Sequence, residues 1–342
     1  MASVIQKEIQ ECLCEKREHL TGWLQTTPEE KKQVVLGPGG QAAVHSHLEV
    51  IDTAMEQASA GRLGVCTVCG GFVEAELLEM DYTACVCLDD LSLDERRSLE
   101  MELELAQSVQ RSLLPSHVPD TPVLETAAFS RPAQIIGGDY FDFFRFQDGC
   151  HGLAIGDVAG HGVSASLHMA SMQALLRTLI PINQAPQDVA QHVNQLMIHN
   201  LRFTSFMALF LATFDPATLT LTYCNAGHTP PLLLQRGDGM TGVRWLGPTG
   251  AAIGLVEDIP FTAETIQLAS GDVLLMVTDG VTEAVNPAEQ QFGYERLIDL
   301  VQTARQASAR ELILMLRQAI DDFTEGRPLT DDVTIVACKI VG

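Results

Sequence analysis

Four aspartates between residues 139 and 331 share one local setting: each stands where an apolar, β-prone run meets a flexible turn. Asp139 closes Gly137-Gly138, Asp157 follows Leu153-Ala154-Ile155-Gly156, Asp279 follows the run from Val273 to Thr278, and Asp331 precedes Asp332-Val333-Thr334-Ile335. Turn chemistry accounts for any one of them, because Asp caps turns with its own side chain. It does not demand the joint pattern of two apolar strands ending in Asp, a Gly-Gly-Asp and an Asp-Asp ahead of a final strand. If the strand ends converge, the carboxylates repel one another in a partly dry cleft unless a cation sits among them. Mg²⁺ and Mn²⁺ take oxygen ligands and keep several waters, so a few Asp side chains and a backbone carbonyl suffice to hold two ions.

The 342 residues allow two or three domains. From Val123 onward, short β-rich runs separated by Gly, Pro and Asp alternate with helical stretches, which predicts a mixed, layered α/β domain. Strands are expected at Leu153 to Ile155, Phe206 to Thr213, Leu219 to Asn225, Val273 to Thr278 and Val333 to Cys338. Helices are expected at His161 to Leu179, Pro186 to Leu201 and Ala309 to Phe323. Residues 1 to about 60 show helical spacing broken by Gly37-Pro38-Gly39-Gly40, which predicts a small helical hairpin. Ser92 and Glu95 form a capping box, so a helix starts there and runs to Pro115. Along it Leu99, Leu103, Ala106 and Leu113 recur at spacings of three and four, with Gln110 the polar position in the seam. The stripe suits pairing with another helix and packing on its own domain equally well.

Four of the nine cysteines cluster as Cys66-x-x-Cys69 and Cys85-x-Cys87. In a reducing compartment four thiolates suit a closed tetrahedral Zn²⁺ site that stabilises a small fold. The alternative is four unrelated thiols. The G-x-C-x-x-C-G run from Gly64 to Gly70 resembles the zinc finger of the DksA/TraR family. That family has C-x-x-C as its second pair, whereas this chain has C-x-C, so either the turn differs or another residue substitutes. Cys12-x-Cys14 and His45-x-His47 are further candidate ligands, although their place on charged helical stretches favours surface or packing roles; Cys150, Cys224 and Cys338 read as core.

Lys and Arg total 21 against 44 Asp and Glu, a formal net charge of −23 that repels polyanions and argues against general nucleic-acid binding. The longest apolar stretch, Phe206 to Phe214, is too short to cross a bilayer, and the chain opens on no basic-then-apolar signal segment. No membrane association and a cytoplasmic location are the expectation.

The runs at 132 to 142 (PAQIIGGDYFD), 155 to 165 (IGDVAGHGVSA), 225 to 231 (NAGHTPP), 277 to 284 (VTDGVTEA) and 330 to 334 (TDDVT) resemble the metal-dependent PPM phosphatases. More narrowly, they are similar to the SpoIIE/RsbU branch of serine/threonine phosphatases, and Gln110-x-x-Leu113-Leu114-Pro115 resembles the helix leading into that domain. The resemblance implies an α/β sandwich with two central antiparallel sheets flanked by helices, and a site for two Mn²⁺ or Mg²⁺ ions at one end. It implies Asp139, Asp157, the Val158 carbonyl, Asp279 and Asp331 as ligands, with Asp332 the less favoured member of its pair. His161 is implied either as the acid that protonates the leaving oxygen or as support for a helix N-terminus, and His228 as a loop residue first and a catalytic group second. The eukaryotic branch holds phosphate with an Arg shortly before the first Asp; here the nearest is Arg131.

The implied substrate is a phosphorylated STAS-domain anti-sigma-factor antagonist in partner-switching control. Such enzymes commonly dimerise through the preceding helix. The whole chain then divides into a helical hairpin (1–60), a zinc-finger module (61–90), a linker and dimerisation helix (91–115) and a phosphatase domain (116–342). The N-terminal module would receive a signalling partner or RNA polymerase. Two other readings stay open: a catalytically silent phosphatase-like scaffold, and a zinc-module regulator acting on RNA polymerase.

Overall fold

The computed structural model describes residues 40–73, 77–78, 84–116, 118, 121–146, 149–160, 162–182, 185–198, 206–236, 241–257 and 259–341, with scattered positions between 13 and 26. The chain divides into two compact units, Met1–Met101 and Glu102–Gly342.

In the N-terminal unit, α1 (Gly40–Ser59) begins at the glycine-rich break, and its Ile51 and Ala54 are buried with Leu13 and Leu63. Arg17 pairs with Asp52. Most of the expected first arm of the hairpin lies outside the described residues. Val65 and Phe72 form a short antiparallel bridge, and a 3₁₀ turn at Leu88–Asp90 leads to α2 (Leu93–Leu113). The start of α2 is the expected capping box: the Ser92 amide donates to Glu95 Oε2 at 2.9 Å and the Glu95 amide to Ser92 Oγ at 3.3 Å. Leu99, Leu103, Ala106 and Leu113 are half-buried, whereas Met101, Leu105 and Val109 are exposed.

The C-terminal unit holds two five-stranded antiparallel sheets. One runs in the order β1 (Leu124–Arg131), β10 (Val333–Ile340), β9 (Val273–Val277), β6 (Leu232–Arg236) and β7 (Thr241–Trp245). The other runs β2 (Tyr140–Arg145), β3 (His151–Val158), β4 (Met207–Asp215), β5 (Thr220–Ala226) and β8 (Glu264–Gln267). The central strands are apolar at successive positions because both faces are covered, and each fully buried side chain contributes about 1.5–3 kcal/mol. Along β9, Leu274 and Met276 face the other sheet, where they join Ile155, Phe210 and Tyr223, with Val336 of the neighbouring β10 in the same cluster. Val273, Leu275 and Val277 face outward to α6 (Gly293–Thr303) and α7 (Ala309–Thr324). On the opposite side α3 (Gly162–Leu179) and α4 (Pro186–Met197) cover the second sheet through Met169, Met172, Leu176, Val189 and Val193. The layering is helix, sheet, sheet, helix. A five-residue helix, α5 (Asp279–Glu283), follows β9 directly. Among the described residues no helix is long and apolar enough to cross a membrane.

Candidate active site

Strand register brings the aspartates to one end of the sandwich. Tyr140 lies opposite Gly156, which sets Asp139 at the head of β2 beside Asp157 near the end of β3. Ile335 lies opposite Val277, and the Thr278 amide donates to the Thr334 carbonyl at 3.1 Å, which sets the Asp331-Asp332 pair beside Asp279. Asp157, Val158, Asp279 and Asp331 line a cleft of about 270 Å³ together with Gly227, His228 and Thr229. Asp139 is buried and lines a neighbouring cavity of about 210 Å³ with Asp332, Gln110 and Gly137.

Two glycines make this convergence possible. A Cβ on Gly138 would sit 2.9 Å from the Val158 carbonyl oxygen, and one on Gly280 would sit 2.0 Å from the Asp332 carbonyl oxygen. Asp332 does a different job from its neighbour. Its carboxylate accepts from the Ala133 amide at 2.7 Å and the Gly138 amide at 2.6 Å, so it braces the loop that carries Asp139. Thr278 Oγ1 donates to Asp139 Oδ2 at 2.8 Å, while Asp139 Oδ1 is buried with no hydrogen-bond partner.

The electrostatics follow from this crowding. Burial, then the charges of Asp157 and Asp332, push Asp139 well above the ordinary carboxylate range. Burial and the charges of Asp279, Asp331 and Asp332 bring Asp157 to about 7. Asp279 is raised by burial and by Asp331. A buried acceptor without a donor, among carboxylates that disfavour one another's charge, fits a divalent cation with oxygen ligands. The donor set of Asp139, Asp157, the Val158 carbonyl, Asp279 and Asp331 is of that kind.

His161 lies outside the described residues. His228 is buried in the Asn225-Ala226-Gly227-His228 turn, which Asn225 locks by accepting from the His228 amide at 2.8 Å and donating to the His228 and Leu246 carbonyls. His228 Nδ1 lies 2.8 Å from the Thr229 carbonyl, and Nε2 has no partner. Arg131 lines the smaller cavity but ion-pairs with Asp321 at 3.2 Å.

Sequence reasoning missed the positioning roles of three residues: Gln110, Thr278 and the carboxylate of Asp332 as a brace. Gln110 stood in the sequence as a polar break in an apolar seam, which is the signal that it bonds to something outside the helix.

In the N-terminal unit the ligand atoms of Cys66, Cys69, Cys87 and Asp90 all lie within 4.8 Å of one another. Cys85 is not in the cluster. The chain bends at Val86, which breaks the equivalence of positions 85 and 87, and the Cys85 carbonyl instead accepts from the Thr67 amide at 2.7 Å. The Asp90 carboxylate accepting from the thiols, with burial, raises the Cys87 thiol to about 12.

The sandwich is shared with solved structures. The SiaA-PP2C domain of Pseudomonas aeruginosa superposes with a TM-score of 0.62 at 20% identity, over 72% of this chain and 98% of that one, which puts the C-terminal unit in the PP2C phosphatase fold class. The family profile described as Stage II sporulation protein E (SpoIIE) matches residues 147–341, more than half of the chain, and the chain belongs to that family. Protein IcfG of Synechocystis sp. is 28% identical over 265 residues, covering 69% of this chain and 41% of IcfG. The phosphoserine phosphatase RsbU of Bacillus subtilis is 27% identical over 246 residues, covering 71% of each. The chain thus spans less than half the length of one curated relative and about seven-tenths of the other.

Proposed function

We propose that the protein is a Mn²⁺- or Mg²⁺-dependent protein serine/threonine phosphatase acting on a phosphorylated STAS-domain anti-sigma-factor antagonist in partner-switching signalling. The observation that carries this reading is the buried, unpartnered Asp139 Oδ1 beside three carboxylates that open onto one cleft. Asp139, Asp157, the Val158 carbonyl, Asp279 and Asp331 hold two ions. Bound there, the ions supply an activated water and positive charge for the phosphoryl oxygens. The protein's part is geometric: Thr278 orients Asp139, Asp332 braces the loop before it, and the Asn225 turn shapes the cleft wall. His161, four residues after Asp157, protonates the leaving oxygen or supports the start of α3. The name RsbU carries, phosphoserine phosphatase, supports the bond class.

The exposed Met101, Leu105 and Val109 on α2 support a homodimer joined through that helix. The N-terminal unit senses or docks a partner, RNA polymerase being one candidate, and the protein works in the cytoplasm. Against a silent scaffold stands the retained acidic cluster, which costs stability and serves no packing purpose.

The test is phosphate release from phosphorylated STAS proteins of the same genome, with Mn²⁺ and with EDTA. Release that depends on Mn²⁺ and is lost in Asp279→Asn is expected; equal release by the folded variant overturns the reading.

A further inference from the structure

We propose that Cys66, Cys69, Cys87 and Asp90 bind one Zn²⁺ ion in a tetrahedral Cys₃Asp site, and that Cys85 is not a ligand. This site is independent of the phosphatase reading.

The spacing is the first argument. Cys66-x-x-Cys69 and Cys87-x-x-Asp90 are two loops of the same length, each bringing two ligands to one side of a turn. The apparent Cys85-x-Cys87 pair hides this, because the second knuckle starts at Cys87 and ends on a carboxylate.

Geometry is the second. With zinc–sulphur bonds of about 2.3 Å, a tetrahedron has a sulphur–sulphur edge of about 3.8 Å. Cys69 Sγ and Cys87 Sγ lie 3.8 Å apart, too far for a disulfide and at that edge length. Asp90 Oδ2 lies 3.3 Å from Cys66 Sγ and 3.1 Å from Cys87 Sγ, a few tenths of an ångström inside the mixed sulphur–oxygen edge of about 3.5 Å.

The surrounding backbone is the third. The amides of Val68 and Cys87 donate to Cys66 Sγ, and that of Gly71 donates to Cys69 Sγ, each at 3.4 Å. Amides aimed at sulphur stabilise thiolate charge and orient the ligands, which neutral, unrelated thiols do not need. Three thiolates and a carboxylate at these distances repel one another unless a dication sits among them, and thiolates select Zn²⁺ over Mg²⁺.

The placement of Asp90 gives the site a purpose. It ends the 3₁₀ turn two residues before Ser92, the cap of α2, and Arg96 of α2 donates to the Asp89 carbonyl at 2.6 Å. The ion therefore ties the Cys66–Cys69 knuckle to the point from which α2 starts.

The experiment loads the full-length chain with Co²⁺, whose charge-transfer and tetrahedral visible bands report thiolate ligands and are silent to an all-oxygen site, and then displaces it with Zn²⁺. One thiolate-bound ion per chain is expected, with spectrum and stoichiometry unchanged in Cys85→Ser. Asp90→Ala weakens binding at least tenfold, and Asp90→Cys restores it with a stronger charge-transfer band. Because Cys87→Ser can unfold the module, Cys85→Ser and Asp90→Cys, which keep four ligands, carry the decision. No thiolate-bound ion in the wild type, loss of the ion in Cys85→Ser, unchanged affinity in Asp90→Ala, an iron–sulphur spectrum or an isolated Cys69–Cys87 disulfide each overturns the site.

Discussion

Gln110 and Gly137 exchange two hydrogen bonds: Gln110 Nε2 donates to the Gly137 carbonyl at 2.5 Å, and the Gly137 amide donates to Gln110 Oε1 at 3.1 Å. The amide next along the chain, that of Gly138, is held by Asp332, and Asp139 follows at once. The backbone that presents the buried Asp139 carboxylate, the first of the proposed ligands, is thus clamped between the last turn of α2 and the start of β10.

Gln110→Ala removes one side of that clamp. Two neutral bonds contribute about 1–3 kcal/mol together, so a modest loss of melting temperature is expected. The larger effect falls on metal use, because groups that orient a ligand change affinity by about 10–100-fold. Phosphatase activity titrated with Mn²⁺ should require at least tenfold more metal. An unmoved titration curve in a protein that simply melts earlier would reduce Gln110 to a structural contact.

Asp157→Asn should abolish activity and yet stabilise the protein in EDTA. Asp157 is mostly buried and faces the charges of Asp279, Asp331 and Asp332, so its own charge is unfavourable until a cation arrives. Asn keeps the shape and removes the repulsion, a gain of about 1–3 kcal/mol near pH 8. Added Mn²⁺ should raise the melting temperature of the wild type far more than that of the variant. A metal-free variant less stable than wild type contradicts the electrostatic account.

His228 gives the fold a defined acid sensitivity. Burial lowers its pKa to about 4, against 6.5 ordinarily. Between those values the unfolded chain binds a proton that the folded protein does not, so stability falls as pH drops from about 6.5 to about 4 and the contribution is flat above 6.5. The full loss is at most about 3 kcal/mol. His228→Gln removes the titration. Denaturant unfolding at pH 7.5 and pH 5 should show a smaller difference for the variant than for wild type; equal differences mean that His228 is protonated in the folded state.

How far the sequence could be read depends on how local each cause is. The strands β9 and β10 and the aspartates at their ends are written in contiguous apolar runs, and the capping box from Ser92 to Glu95 is a four-residue pattern. By contrast β8 is four residues with only Ile266 buried, an edge strand whose identity comes from pairing with β5. The partner of Gln110 is a backbone group 27 residues away, which no local pattern reveals. Asp90 was hidden for a different reason: a search for paired cysteines stops at Cys85 and Cys87 and passes over a carboxylate three residues further on.

Beneath the cleft, β2 is anchored by a charge that has no route to water. The Asp142 side chain is fully buried and accepts from Tyr140 Oη at 2.7 Å and the Phe143 amide at 2.8 Å. Arg177 of α3 meets both carboxylate oxygens at 2.7 Å, from Nη2 and Nε. Arg177 itself is half-exposed, and its guanidinium lies 5.4 Å from the Phe144 ring. Arg177→Met keeps most of the apolar stem but strands the carboxylate, which costs about 3–5 kcal/mol when a buried pair is broken. The half-exposed pair Arg131 and Asp321 should cost less than about 1 kcal/mol when broken in the same way. Adding Asp142→Asn to Arg177→Met removes the stranded charge and should recover at least half of the lost stability in urea unfolding. If the double variant is as unstable as the single one, the loss comes from packing between α3 and β2, and the charge at Asp142 is held by Tyr140 and the Phe143 amide alone.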